Sequence, residues 1–220
     1  MKVLNVINMI ALISFLCFQT NAQTYRIKGG LNLANMLIES DGEVISNQYK
    51  MNPGFHVGAT FDLPLNDFLS IETGPLLTTK GWKQKFESGQ AFYTFNNNLY
   101  YLDFPIALKT TYGLARGLKL FGYFGPYAGI GLSGKMNLSV EYEGRKNTDK
   151  QNIEWGKDGS QYDYTRFEMG LTIGIGVERN SLMTGISYDH GLSNISSFQK
   201  YGELDKNRVL KFSVGYIFGK

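Results

Sequence analysis

Arg166-Phe167-Glu168-Met169-Gly170-Leu171-Thr172-Ile173-Gly174-Ile175-Gly176-Val177-Glu178 decides the fold class. Successive side chains of a strand point to opposite faces. Phe167, Met169, Leu171, Ile173, Ile175 and Val177 therefore share one face, all apolar. Arg166, Glu168, Gly170, Thr172, Gly174, Gly176 and Glu178 share the other, which mixes charge with glycine. The split recurs along the chain. Leu210, Phe212, Val214, Tyr216 and Phe218 oppose Lys211, Ser213, Gly215 and Ile217. Leu102, Phe104, Ile106 and Leu108 oppose Asp103, Pro105, Ala107 and Lys109. Phe55, Val57, Ala59 and Phe61 oppose His56, Gly58, Thr60 and Asp62.

Eight such stretches are joined by segments that alternate long and short. Ala34–Lys50, Gly81 to about Asn98, Lys135 to about Gln161 and Gly191 to about Lys206 read as long polar loops. Pro64-Leu65-Asn66, Tyr112–Gly117 and Glu178–Ser181 read as short turns. Outer-membrane barrels have this asymmetry, with long extracellular loops and short periplasmic turns. The expectation is an all-β chain: an eight-stranded antiparallel up-and-down transmembrane β-barrel in the Gram-negative outer membrane, both mature termini on the short-turn side. A soluble sandwich also has one apolar and one polar face. The loop asymmetry and the leader favour lipid outside and a polar lumen, and closure removes exposed strand edges.

The first 22 residues read as a signal peptide, with Lys2 before the apolar run Met9–Phe18 and a small-residue cleavage site at Thr20-Asn21-Ala22. The run is too short for a membrane helix, which needs ~20 apolar residues. Leu16 before Cys17 argues against a lipoprotein signal. Removing 22 of the 220 residues leaves one barrel domain, 23–220. The single cysteine leaves with the leader, so the mature chain has no disulfide and no thiol chemistry. No basic cluster resembles a nucleic-acid-binding face. Gly (26), Tyr (14) and Phe (15) are abundant, as close-packed strands and interfacial aromatics require.

The inward rows place Arg26, Lys28, Lys80, Lys109, Lys119, Arg166 and Lys211 against Asp62, Glu72, Asp103, Glu168, Glu178 and Asp189. The interior of an eight-stranded barrel is only wide enough for side chains to fill. The core of a lumen charge network is therefore expected from Arg26, Lys28, Asp62, Glu72, Asp103, Lys109, Arg166, Glu168 and Lys211. Phe121, Tyr123 and Tyr127 share the inward row of their strand and should fill the remaining space. Pro105 cannot donate to a ladder and should mark a bulge or the membrane rim.

Four stretches carry a family resemblance: Gly29-Gly30-Leu31-Asn32-Leu33-Ala34-Asn35, Tyr101-Leu102-Asp103-Phe104-Pro105-Ile106-Ala107-Leu108-Lys109, Gly125-Pro126-Tyr127-Ala128-Gly129-Ile130-Gly131 and Tyr188-Asp189-His190-Gly191-Leu192-Ser193-Asn194-Ile195. Together they resemble the PorT-like, "porin family" outer-membrane β-barrel domain proteins over the whole mature chain. The resemblance implies an eight-stranded outer-membrane barrel and no reaction. Some relatives serve protein secretion.

Chemistry is sparse. His56 falls on an inward row and reads as a lumen hydrogen-bonding residue. His190, near Asp189 and Ser193 at the loop-side rim, carries the one enzyme alternative, a lipid-modifying acyl hydrolase or transferase; an interfacial polar role is the other reading. A histidine base must reach its nucleophile. No spacing suggests a metal site or cofactor, although Glu141-Tyr142-Glu143 and Asp158–Asp163 leave room for a loose Ca²⁺ site beside the simpler solvated-loop reading. Gly129-Ile130-Gly131 and Gly174-Ile175-Gly176 lie within strands and are not nucleotide fingerprints. Aromatics gather around the second and third long loops. Trp82, Tyr93, Tyr142, Trp155 and Tyr162 are the expected loop binding surface. The expected function is a non-enzymatic, monomeric barrel with a plugged polar lumen. Its partners are outer-membrane lipid and a protein or surface ligand at the loops. A small-solute pore is the alternative.

Overall fold

The computed structural model describes residues 24–157, 162–199 and 202–218. The expected leader, 1–22, and mature start at Gln23 lie outside the described residues. The strands are β1 (Thr24–Ser40), β2 (Glu43–Val44), β3 (Tyr49–Lys50), β4 (Asn52–Pro64), β5 (Leu69–Thr73), β6 (Leu76–Ser88), β7 (Ala91–Gly113), β8 (Leu118–Tyr142), β9 (Arg145–Asn152), β10 (Phe167–Arg179), β11 (Leu182–Gly191) and β12 (Leu204–Phe218).

The ladders, all antiparallel, close a ring. β1 pairs with β4, β4 with β5 and β6, and both of those with β7. β7 then pairs with β8, β8 with β10, β10 with β11 and β11 with β12. The seam runs from Tyr25 opposite Phe218 to Glu39 opposite Leu204. β5 and β6 form one stave interrupted at Gly74-Pro75, where Gly74 has φ 142°, so the ring has eight staves.

The inside-out assignment follows the alternation. Phe167, Met169, Ile173 and Ile175 are exposed, while Glu168, Thr172 and Glu178 are buried. Outward apolar residues from Phe167 to Val177 cover ten strand steps. At ~3.4 Å per residue and a tilt of ~40°, they span about 26 Å, close to the ~25 Å apolar band of such barrels.

Inward glycines and inward aromatics are matched across one ladder. Gly170, Gly174 and Gly176 of β10 lie opposite Tyr127, Tyr123 and Phe121 of β8. A Cβ on any of the three would run into the ring beside it. The glycine row of β10 is thus the space into which the β8 rings fold.

The long joints differ from expectation. Three of them are mostly strand. The Gly81–Asn98 segment is the hairpin of β6 and β7, turning at Gly89 (φ 63°). Lys135–Asn152 is the hairpin of β8 and β9, turning at Glu143 (φ 48°) and Gly144 (φ 74°). β1 continues to Ser40 and turns at Asp41 (φ 51°) and Gly42 (φ 81°) into β2. Above the apolar band the outward face meets water, so the outward apolar row fades while pairing continues and the inward residues pack a cap. β3, β6, β7, β8 and β9 thereby form a wall rising from the long-joint end of the barrel. Pro105 sits within the barrel part of β7 opposite Tyr127, and the ladder to β8 skips Ile106 and Ala107 beside it. The register shift lies instead at Tyr100/Tyr101.

Candidate functional site

The inward rows bring the lumen charges together. At the short-turn end, Arg26 pairs with Asp62 (2.5 Å) and Glu178 (3.1 Å). Lys109 reaches Glu178 (3.1 Å), Glu72 (3.3 Å) and Asp62 (3.5 Å). Lys28 pairs with Glu72 at 2.6 Å. Toward the loop end, Lys80 joins Asp103 (3.0 Å) and Glu168 (3.2 Å). Glu168 accepts from Tyr127 Oη at 2.6 Å and from Asn207 Nδ2 at 2.8 Å. Lys211 pairs with Asp189, which also accepts from Thr172 Oγ1 (2.7 Å). The ammonium groups of Lys80 and Lys109 lie over the rings of Tyr127 and Phe121, each 4.5 Å from the centroid. His56 sits between Asn32 Oδ1 (2.7 Å) and Ser213 Oγ (2.9 Å). Buried charges of this kind need both pairing and hydrogen bonds to be tolerated.

Arg166 is a correction. It is exposed, its Nη1 donates to the Gly131 carbonyl (2.9 Å), and its guanidinium lies over Trp155. The β10 ladder begins at Phe167, one residue after Arg166, so the alternation that would aim Arg166 inward does not reach it. Lys119, on the inward parity of β8, is exposed at the short-turn rim.

A second, apolar core sits above the charges. Met36, Ile38, Trp82, Leu99, Tyr101, Ile153, Tyr164 and Ile195 pack together, with Tyr49, Phe95 and Trp155 against them. Tyr164 Oη accepts from Asn97 Nδ2 (2.7 Å) and Trp82 Nε1 (3.4 Å). Burial pushes its hydroxyl above the usual tyrosine range. Ile153 and Trp155, Tyr164, and Ile195, from three described stretches between the long strands, thus lid the lumen.

This corrects the expected loop binding surface. Trp82 is buried in the lid, and Trp155 packs against it. The strand parity of Trp82 is inward, and the interior above the charges is apolar. Tyr162 packs beside Gly156, half-buried. Tyr93 stacks on Phe86 (4.9 Å) on the inner face of the wall, and Tyr142 is 49% exposed at the tip. Phe95, Leu138 and Val140 continue that inner row beneath them. Tyr164, one of the aromatics around the long loops, and Tyr101, which opens one of the resemblance stretches, are buried in the apolar core. Asn97 and Asn207 were not singled out in the sequence, and only their inward parity could have marked them.

Among the described residues His190 makes no hydrogen bond to Ser193. Ser193 Oγ accepts from the Met169 amide (2.7 Å) and donates to its carbonyl (3.2 Å). The ring contact of His190 is with Tyr188, 6.1 Å away. Among the described residues no group of three or more His, Cys, Asp or Glu side chains could hold a metal ion; Asp158 lies outside the described residues. In the crown, burial pushes the Asp205 carboxyl up to about 7, with the Glu203 charge adding.

A closed ring, a lipid-compatible exterior and a charged interior define a membrane barrel. Residues 19–197 match the family model described as outer membrane protein beta-barrel domain. The chain belongs to that family. Such a barrel domain resides in the Gram-negative outer membrane. No curated protein matches the chain. Among solved structures, Ail of Yersinia pestis in complex with the heparin analogue sucrose octasulfate is 15% identical, covering 89% of this chain and 99% of its own, with a TM-score of 0.38. OprG of Pseudomonas aeruginosa is 11% identical over 90% and 96%, with a TM-score of 0.41. Neisserial surface protein A is 12% identical over 87% and 96%, with a TM-score of 0.39.

Proposed function

We propose that this protein is a monomeric, non-enzymatic and non-conducting PorT-like barrel, exported by the 1–22 leader, that acts as an interaction protein through its extracellular wall. The observation that carries the reading is the filled lumen. The void among Lys28, His56, Glu72, Tyr123, Asp189 and Lys211 is about 20 Å³, room for about one water molecule. The apolar lid lies above it. What the barrel offers to the outside is the wall, a rigid paired sheet with aromatic residues on its inner face. Binding residues commonly sit on segments held by a rigid scaffold.

Planar-bilayer recordings of the purified protein test the first half, and the expected trace has no steps. Reproducible unitary conductance overturns it. Replacing Met136–Gln151 by a two-residue turn tests the second. The barrel should still show heat-shifted electrophoretic mobility while cells lose any adhesion the protein confers. Retained adhesion overturns the wall as the working surface. A change in lipid A acyl chains that disappears with His190→Ala overturns the non-enzymatic reading.

A further inference from the structure

The outward row of the wall changes chemistry at Tyr100. Below it, β7 presents Leu108, Ile106, Phe104 and Leu102; above it come Asn98, Asn96 and Thr94. Neighbouring strands add Lys83 and Lys85 from β6, Lys135 from β8, Lys146 and Lys150 from β9 and Lys50 from β3, all on the outward parity. Only Glu87 and Glu141 oppose them on this face among the described residues. None of the six lysines makes an ion pair among the described residues, whereas Lys28, Lys80, Lys109 and Lys211 in the lumen all do. Across the barrel, β12 makes the same switch: outward Leu210 gives way to Arg208 and Lys206.

Orientation selects the occupant. The row continues the lipid-facing row, so these ammonium groups point sideways over the leaflet, neither into the lumen nor away from the cell. Two strand residues at ~3.4 Å each and ~40° tilt raise the row by about 5 Å. Lys135 follows Ser133, the partner of Tyr100, by two residues, which puts it about 5 Å above the aromatic level. Lys83 and Lys150 lie about 10 Å above it, Lys85 about 15 Å and Lys146 about 20 Å. The lower lysines are at headgroup height.

We infer that this face holds phosphate-bearing glycolipid headgroups of the leaflet that surrounds the barrel. The contact is independent of the adhesive reading, which uses the inner face of the same wall. Attraction between basic side chains and an anionic surface is worth about a fivefold factor per lysine near the surface and decays over a Debye length of ~8 Å.

The test uses the purified full-length mature protein in bilayer discs of phosphatidylcholine, with or without a diphosphorylated glucosamine lipid. Amine acylation is read residue by residue by mass spectrometry. Lys135, Lys83 and Lys150 should be protected only in the glycolipid discs, Lys146 least, and high salt should remove the protection. Lys135→Gln and Lys83→Gln should each lower glycolipid retention about fivefold at low salt, and Lys146→Gln less. Heat-shifted mobility verifies that each variant is folded. Equal labelling in both discs overturns the proposal. So does protection by soluble dextran sulfate in phosphatidylcholine discs that is strongest at Lys146, since that gradient belongs to a free polyanion arriving from outside.

Discussion

At the residue scale, the β8 rings and the β10 glycines form one packing unit. Gly174→Val puts a branched side chain where Tyr123 lies and should cost ~1–3 kcal/mol as overpacking. Gly174→Val combined with Tyr123→Ala should recover part of that loss, read from urea unfolding in lipid vesicles. The two faces of the same strand separate cleanly. Leu171→Arg places a charge near mid-membrane and should cost ~2–4 kcal/mol, varying with bilayer thickness. Thr172→Arg should act through the lost hydrogen bond to Asp189, without dependence on lipid. Lys80→Met leaves Asp103 and Glu168 without their cation and should cost ~3–5 kcal/mol by the same measurement. The alternation made these inward residues legible in the sequence, because a period of two ties every second position to one face. Arg166 was misread because parity persists on paper beyond the last rung of the ladder.

At the element scale, the barrel staves were legible and the wall was not. Lipid imposes an apolar row, and water imposes none, so β6 to β9 above Tyr100 lose the pattern while keeping their hydrogen bonds. Their turns left a signal that went unused. Asp41-Gly42 and Glu143-Gly144 each supply two successive positive-φ residues, as a tight hairpin requires. Ordered strands resist proteases, so trypsin on intact cells should cut at the β8–β9 tip, after Arg145 or Lys146, and spare Arg116 at the short-turn end. Cleavage after Arg116 alone would invert the topology. The crown also carries a titrating element. Asp205 is held at about 7 in the fold against ~3.9 unfolded. Its raised value contributes stability that is complete below pH ~4 and is lost as the pH rises through 7. At this half-buried position the effect should be roughly 1–2 kcal/mol. The Ile195 amide, which donates to the Asp205 carbonyl, should therefore exchange faster at pH 8 than at pH 5 after correction for intrinsic rates. Asp205→Asn should abolish the difference.

At the scale of the whole molecule, the seam has a consequence for how the chain reaches its membrane. β1 and β12 are the first and last strands described, and their ladder pairs residues nearly the whole sequence apart. Until it forms, both strands present unpaired amides and carbonyls, which hydrocarbon does not tolerate. A half-built barrel therefore has no stable place in the bilayer, and assembly is an all-or-none event limited by its most distant contact. A chain lacking β12 should accumulate as periplasmic protease substrate, leaving no shortened barrel in the outer membrane. A circular permutant opened at Asn180-Ser181, with its old ends joined, should make the former seam a local hairpin and insert faster into vesicles.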